Sequence, residues 1–415
     1  MEKRINVHSF WGETRHGWAI YLMVALALAS MPLLLSANLT DPIYRDFNLW
    51  FGADVPRIVS NMISPCANHY RTSVHPLFSL MTLAVTRPLL ELGLPPRVAV
   101  SVVLAASASL TGCLMLSTLQ RIGLKLIDAA LMTVAFASTA TFMFWWSVPE
   151  TFPLGCLTIM VPFWLLASGA ENTRAWIFTS ATSLSITTTN WLSGLICTFL
   201  GLKIKKAITV SFFAFLLVFG LSIVQRIYVP TATFFWKPVA VKSESDYMRF
   251  VFNRVPARTI DFFIHPAIAP GQSFVVDNKM ISFVDAANLK SSPLTGPRLV
   301  AAVVWAILLL GGLIAFLKTG FKSIKNTNPL WALSIFLLSQ YGIHLIYGDS
   351  PFLYSAHFIP IMIMLIGFAL SAGNSPWARQ ATRVLVLLFA SIAFPMNIQA
   401  YLNAIQAATG IATLH

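Results

Sequence analysis

The sequence predicts an all-α, polytopic integral membrane protein with about eleven membrane-spanning helices. Of its 415 residues, 57% are hydrophobic, and its mean hydropathy is +0.73. Charged residues make up only 10% of the chain, whereas an average soluble domain has about 25%. Many of the apolar segments also approach or reach the roughly 20 residues that a helix needs to cross a bilayer core of about 30 Å.

Nine segments are apolar enough to be predicted as single spans. They lie near residues 17–37, 97–119, 126–146, 153–169, 207–227, 298–317, 330–347, 356–373 and 384–400. Residues 176–202 differ, because two short apolar pieces meet there at the polar junction TTTN, 187–190. We interpret these pieces as two short helices that form a hairpin with Asn190 near its tip. One long helix with a polar kink is the alternative.

Residues 75–93 resemble a span but carry Arg87 beside Pro88. A charge at membrane depth costs about 2.5–3.5 kcal/mol even on the lenient insertion scale, so we expect an interfacial or re-entrant helix. The basic loops 120–125, 203–206, 318–326 and 375–383 then fall on the same side as the N-terminus, which agrees with the positive-inside rule. The predicted N-terminus is inside and the C-terminus outside.

This topology divides the chain into a transmembrane module over 1–230, a long outer loop over 228–297 and C-terminal helices over 298–415. The first outer loop runs over 38–96. Most acidic residues fall on the outer side: Asp41, Asp46, Asp54, Glu91, Glu150, Glu244, Asp246, Asp261, Asp277, Asp285 and Asp349. Because acids and histidines are the usual proton-transfer residues, we expect any chemistry on the outer face.

The net charge of +13 does not indicate nucleic-acid binding. Excess Lys and Arg in a membrane protein sets topology and contacts anionic headgroups, and no basic run is interleaved with stacking aromatics. The four cysteines have no metal-ligand spacing, and Cys66 is the only one in a polar loop.

The first polar group follows the first span. Its members are Asp41, Asp46, Asp54, Arg57, Arg71 and His75. A helix over 52–63 would place Asp54 and Arg57 one turn apart on one face. This pattern fits an amphipathic surface helix with a solvated ion pair. It fits equally a carboxylate general base beside Arg and His side chains that receive an anionic headgroup, since the planar guanidinium suits phosphate.

Two more polar groups lie at predicted outer ends of spans. Glu150 stands in WWSVPETFPLG between two prolines, where it is either a charge at a helix N-terminus or a second acid facing the same cavity. In YGDSPFLYSAHF, Asp349 can cap a helix from which Tyr354 and His357 project one turn apart. An aromatic belt alone explains Tyr354, whereas a histidine at the membrane edge favours a role in binding phosphate or sugar.

The order of these features resembles the GT-C superfamily of membrane glycosyltransferases. The shared features are an inner first helix, an outer loop with an early Asp, a non-spanning helix that begins His-Pro, a hairpin with a basic inner turn, and an acid at the next outer turn. The resemblance covers about the first 230 residues as architecture. The first loop has no adjacent Asp-Glu pair, the second has no DxD, and no large C-terminal soluble domain is present.

The resemblance implies a donor sugar on a polyprenyl phosphate and inverting transfer to a glycan or lipid-linked acceptor at the membrane. The family's first-loop base would correspond to one of Asp41, Asp46 or Asp54, with Asp54 favoured and Asp46 second, and its second-loop acid would correspond to Glu150. The donor phosphate would be held by Arg57, Arg71, His75 and His357, and Glu150 and Asn190 would line the sugar pocket. Asp41, Asp349 and Tyr354 are further expected substrate contacts. No cofactor is required, although Mg or Mn is compatible with clustered carboxylates.

The resemblance also implies a location in a bacterial inner membrane, with the active face in the periplasm. Two other functions stay open on the sequence. A transporter or flippase of lipid-linked glycans would favour ionisable residues along a mid-membrane path and inverted repeats. A polymerase- or ligase-type enzyme would act on the same donors without a first-loop Asp.

Overall fold

The computed structural model of the chain describes residues 17–39, 44, 50–237, 244–245, 248–270, 272–277, 280–285, 294–320, 328–348, 350–372 and 376–412. The α-helices up to the long outer loop are α1 Gly17–Ser36, α2 Val55–Ile63, α3 Phe78–Glu91, α4 Pro96–Arg121, α5 Leu126–Ala137, α6 Ala140–Trp145, α7 Phe152–Ala167, α8 Thr173–Ile186, α9 Trp191–Gly201 and α10 Ile204–Tyr228. The remaining α-helices are α11 Val255–Phe263, α12 Gly296–Gly320, α13 Asn328–Ile346, α14 Ile359–Ala372 and α15 Pro376–Ala412. Short 3-10 helices occupy Tyr70–Ser73, Thr188–Asn190, Phe252–Arg254 and Pro351–His357.

Helices α1 and α4 pack antiparallel. Near one end, Arg97 Nη2 donates to Ser36 O at 2.7 Å. Near the other, Tyr21 donates to Gln120 Oε1 at 2.7 Å. The chain between α1 and α4 therefore leaves and re-enters the bundle at the same end. Helix α3, which lies in this segment, has 14 residues and a length of about 21 Å, too short for a bilayer core of about 30 Å. Residues 75–93 thus do not cross, as the sequence predicted.

We call the end where α1 finishes the site end and the opposite end the basic end. Described cations in or beside the turns at the basic end include Arg121, Lys125, Lys203, Lys205, Lys206, Lys318, Arg379 and Arg383. These cations belong to the four short basic loops of the sequence, so the described parts of those loops share one end, as the predicted topology requires.

Residues 173–201 form a hairpin of two short helices. Trp191 Nε1 donates to Ser180 Oγ at 3.0 Å, and a Cβ added to Gly194 would lie 2.3 Å from Ser183 Oγ. Farther from the tip, a Cβ at Gly201 would lie 2.7 Å from the ring of Trp176. These contacts pair the end of α8 with the start of α9, so the hairpin prediction is right and the single kinked helix is wrong.

Fewer helices meet the requirements of a membrane span than the sequence predicted. Six described helices are long and apolar enough to cross, or seven if the bent pair Pro351–His357 and Ile359–Phe368 counts as one. These helices are the basis for treating the protein as an integral membrane protein. Two further apolar helices, Leu126–Ala137 and Phe152–Ala167, are shorter.

The predicted span over 126–146 is two helices, α5 and α6. The break falls at Ser138 and Thr139, where Thr139 Oγ1 accepts a hydrogen bond from Phe142 N at 3.2 Å and so begins α6. The amides of Ala140 and Thr141 donate to Ala267 O and Pro266 O, respectively, rather than to carbonyls of the preceding helical turn. A distant segment therefore takes over the backbone bonds that would have continued the helix.

The long outer loop contains structure that the sequence did not predict. Residues Val255–Phe263 form α11, and the strands β1, Gln272–Asp277, and β2, Met280–Asp285, pair antiparallel. The described chain is therefore predominantly helical with one small β-hairpin.

Helix α15 holds two distant parts of the chain together. Asn397 Nδ2 donates to Ser138 O and Ala267 O, both at 2.8 Å, and Asn397 Oδ1 accepts from Ala269 N at 2.9 Å. At the basic end, Arg383 donates to both carboxylate oxygens of Asp128, at 2.7 and 3.0 Å. These bonds hold α15 to α5 and to the segment after α11.

Candidate functional site

The first pair of predicted site residues lies where α2 begins. Asp54 directly precedes α2, and its Oδ2 accepts from Arg57 Nε at 3.1 Å and from Arg57 Nη2 at 2.7 Å. The Arg57 guanidinium carbon also lies 5.7 Å from the ring centre of Tyr70. The Asp54 side chain is 39% exposed, so the carboxylate stands at a surface. The predicted one-turn spacing is correct.

The start of α3 is bonded to the break in the hairpin. Leu77 N donates to Ser185 O at 2.7 Å, and Thr188 N donates to Val74 O at 3.0 Å. Between these two bonds, His75 Nδ1 lies 2.9 Å from Ile186 O. Burial and the positive charge of Arg71 lower the pKa of His75 to about 3, so its imidazole is neutral at physiological pH. The first outer loop and the hairpin tip therefore form one surface.

Glu150 lies in the turn between α6 and α7 and is buried, with 5% of its surface exposed. Its Oε2 accepts from Thr151 N at 2.6 Å and from Thr151 Oγ1 at 3.2 Å. Burial raises the pKa of Glu150, and the charges of Asp54 and Arg57 reach it and act in opposite directions. The second-loop acid is therefore brought within electrostatic range of the first-loop pair.

Asn190 and His357 come together beside Gly155. Asn190 is fully buried and His357 is 5% exposed. A Cβ added to Gly155 would lie 2.6 Å from His357 Nε2 and 2.9 Å from Asn190 Nδ2. Within the described part of the chain, neither of these nitrogens, nor Asn190 Oδ1, has a hydrogen-bond partner. The hairpin tip thus meets the loop between α13 and α14 over α7. We call this loop, which contains Tyr354 and His357, the late outer loop.

Aromatic rings line the late outer loop. Tyr354 stacks on His344 with ring centres 5.0 Å apart, and Phe152 lies 5.5 Å from Tyr354 and 5.7 Å from His357. Tyr354 and His357 are one turn apart on a 3-10 helix rather than an α-helix. The shorter 3-10 repeat places both residues on one face.

Arg71 is paired with the long outer loop. Its Nη1 forms an ion pair with Glu244 Oε1, and Tyr347 donates to the other oxygen of the same carboxylate. Arg258 is buried and donates to the carbonyls of Leu345 and Gly348, at 2.5 and 2.9 Å. Two arginines therefore fix this loop and the end of α13 beside the site.

The structure thus brings eight of the predicted residues to the site end: Asp54, Arg57, Arg71, His75, Glu150, Asn190, Tyr354 and His357. The predictions for Asp41, Asp46 and Asp349 lie outside the described residues. Sequence reasoning missed Gly155, Glu244 and His344. His344 had a usable signal, because an ionisable residue inside a predicted span favours a function.

The arrangement offers a carboxylate at the surface, the buried carboxyl group of Glu150, arginines and uncharged polar groups within one region. Such a set can accept a proton, bind an anion and hydrogen-bond a polar ligand. Among the described side chains, no three His, Cys, Asp or Glu residues come together as metal ligands.

Fold and site together define a polytopic helical membrane protein with a polar cluster at one end of its helices. No protein-family model matches the chain, and neither the curated proteins nor the solved structures include a significant match.

Proposed function

We propose that this protein is a GT-C-like glycosyltransferase that moves a sugar from a polyprenyl-phosphate donor to an acceptor hydroxyl on the outer, periplasmic face of a bacterial inner membrane. The observation that supports this most is the convergence of Asp54, Glu150 and His357. These residues come from three outer segments that are far apart in the sequence, and they lie at the end of the molecule opposite the basic loops.

The proposed reaction is a single inverting displacement. Asp54 takes the proton of the acceptor hydroxyl as that oxygen attacks the anomeric carbon. The bond from this carbon to the phosphate oxygen breaks, and polyprenyl phosphate leaves with the electron pair. Arg57 and Arg71 stabilise the charge that develops on the phosphate. Beside them, neutral His75 donates through Nδ1 to Ile186 O, so its Nε2 can accept a hydrogen bond from the donor lipid.

The proposal names the donor and the acceptor by chemical class. The prenyl chain would lie against the lipid-facing helices, and the acceptor would be a glycan or a lipid-linked saccharide. Arg57 is bonded to Asp54 through Nε and Nη2, and Arg71 to Glu244 through Nη1. The donor phosphate would therefore be bound by the guanidinium N–H groups that these carboxylates do not use. The reaction as written needs no metal ion.

The test is a transfer assay on purified protein in nanodiscs, with labelled polyprenyl-phosphate sugars and a membrane-glycan extract. Wild type should transfer, and Asp54→Asn should lose at least about a hundredfold in rate, because a positioned base contributes that much. Glu91→Gln is the matched control, since Glu91 is an exposed acid of the same loop.

Each other outcome points elsewhere. Full transfer by Asp54→Asn would move the base to Asp46 or Asp41, or favour the polymerase- or ligase-type reaction. Donor binding by wild type with no transfer to any acceptor would favour the transporter or flippase.

A further inference from the structure

The polar side chains of Asn190 and His357 converge on a buried space beside Gly155. Gly155 has no side chain to fill that space. Gly155 lies on α7, one turn after Phe152. A Cβ at this position would lie 2.6 Å from His357 Nε2, a distance that real Cβ atoms essentially never show. Glycine is therefore required here for the observed positions of His357 and Asn190.

Three polar atoms in this space have no hydrogen-bond partner among the residues that the structure describes: Asn190 Nδ2, Asn190 Oδ1 and His357 Nε2. Asn190 is 0% exposed and His357 is 5% exposed, so neither side chain has much contact with bulk solvent. Buried polar groups in native proteins are nearly always satisfied, and an unsatisfied one is costly. A polar occupant would remove that cost.

The chemistry of these atoms selects the occupant. The Asn190 amide provides a donor and an acceptor, and a neutral imidazole nitrogen provides one or the other. A hydroxyl group can do both, so two neighbouring hydroxyls complement the set. No Lys, Arg, Asp or Glu side chain forms a hydrogen bond to Asn190 or His357 within the described chain, which favours a neutral ligand over a phosphate.

We propose that Asn190, His357 and Gly155 form a subsite for a pair of neighbouring hydroxyls on the donor sugar. The subsite deepens the proposed function and rests on it for the identity of the donor. It assigns His357 to the sugar rather than to the phosphate, and it makes Gly155 a specificity-determining position. A methyl group at residue 155 would occupy the space that the hydroxyls need.

The experiment measures the affinity of the nanodisc-reconstituted protein for two probes, bare polyprenyl phosphate and polyprenyl-phosphate hexoses. Wild type should bind its preferred hexosyl lipid at least about tenfold more tightly than the bare lipid, as expected for one or two hydrogen bonds in a buried site. Gly155→Ala and Asn190→Ala should bring this ratio close to one and leave the affinity for the bare lipid unchanged.

Gly220→Ala is the matched control, because Gly220 also lies within a helix and a Cβ there meets nothing within 4 Å. It should keep the wild-type ratio. If Gly155→Ala does not fold, Asn190→Ala reads the same subsite by removing polar atoms without adding bulk. An undiminished ratio in Asn190→Ala would overturn the subsite and leave the space to water.

The two proposals fail in different ways. Equal affinity of wild type for bare and hexosyl lipids overturns the subsite but leaves a polyprenyl-phosphate donor. Failure to bind either lipid overturns the donor class and the subsite with it.

Discussion

Arg57 donates two hydrogen bonds to a single oxygen of Asp54, from Nε at 3.1 Å and from Nη2 at 2.7 Å. The third nitrogen of the guanidinium, Nη1, is buried and has no hydrogen-bond partner in the described ranges of the chain. The arginine therefore keeps donor capacity while it orients the carboxylate. This pairing is the local feature from which the proposed base and phosphate clamp are built.

Arg57→Lys should weaken donor binding, with a rise in KM of about tenfold and a smaller change in kcat. A lysine keeps the charge but cannot present the planar fork that bonds Asp54 and phosphate together. Steady-state transfer kinetics measure the effect. Arg87→Lys serves as the control, because Arg87 forms an exposed pair with Glu91 in the same loop. An unchanged KM in Arg57→Lys would remove Arg57 from the donor site.

Glu150→Gln should change how stability depends on pH. Burial raises the folded-state pKa of Glu150 above the usual value of 4.5, so the folded protein holds this proton more tightly than the unfolded chain. Wild type therefore loses stability as pH rises from about 4.5 through the raised pKa. The variant cannot ionise and should lack this loss, so it should gain thermal stability relative to wild type at pH 8.

Melting curves at pH 4.5 and pH 8 in one detergent compare the two proteins. Glu91→Gln should show no such gain, because its side chain is 68% exposed. A variant that gains nothing at pH 8 would mean that Glu150 is ionised at no cost in the folded protein.

Asn397→Leu should destabilise the protein by at least about 2 kcal/mol. The change leaves Ser138 O, Ala267 O and Ala269 N without the side chain that satisfies them, and each buried orphan costs about 1–3 kcal/mol. Thermal unfolding in detergent measures this loss. The control is Asn403→Ala, since Asn403 is exposed on the same helix. Equal melting temperatures for Asn397→Leu and Asn403→Ala would show that the three hydrogen bonds of Asn397 are dispensable.

Cys66 provides a direct test of orientation. It is exposed at the site end, whereas Cys113 is partly buried and Cys156 and Cys197 are buried. If the site end faces outward, a membrane-impermeant maleimide should label wild type in intact cells or spheroplasts. Cys66→Ser combined with Lys203→Cys should resist labelling until the membrane is opened, because Lys203 lies at the basic end. The reverse pattern would place the site inside.

Local patterns in the sequence predicted part of the site correctly. The spacing of Asp54 and Arg57 determines their contact, because residues three apart share a helix face. The polar junction 187–190, which ends at Asn190, predicted the hairpin, since its four polar residues interrupt an apolar run. The charge of Arg87 predicted that α3 does not cross. Each of these inferences depends on residues that are close together in the sequence, so a short stretch is enough to make it.

The contacts that sequence reasoning missed join residues far apart in the chain. Arg71 and Glu244 are 173 positions apart, and nothing near either residue indicates the other. Residues 126–146 are mostly apolar and were predicted as one span. The helix breaks there because Ala140 N and Thr141 N bond to the segment after α11. The space beside Gly155 is equally invisible, since it exists only where α7, the hairpin tip and the late loop meet.

The backbone bonds between residues 74–77 and 185–188 have a consequence for how this protein can change. These bonds align the two segments residue by residue, as in two paired strands, and this one alignment sets the positions of both His75 and Asn190. Adding or deleting one residue on either side would shift one partner against the other by about 3.3 Å. Both segments should therefore tolerate substitutions more readily than changes in length.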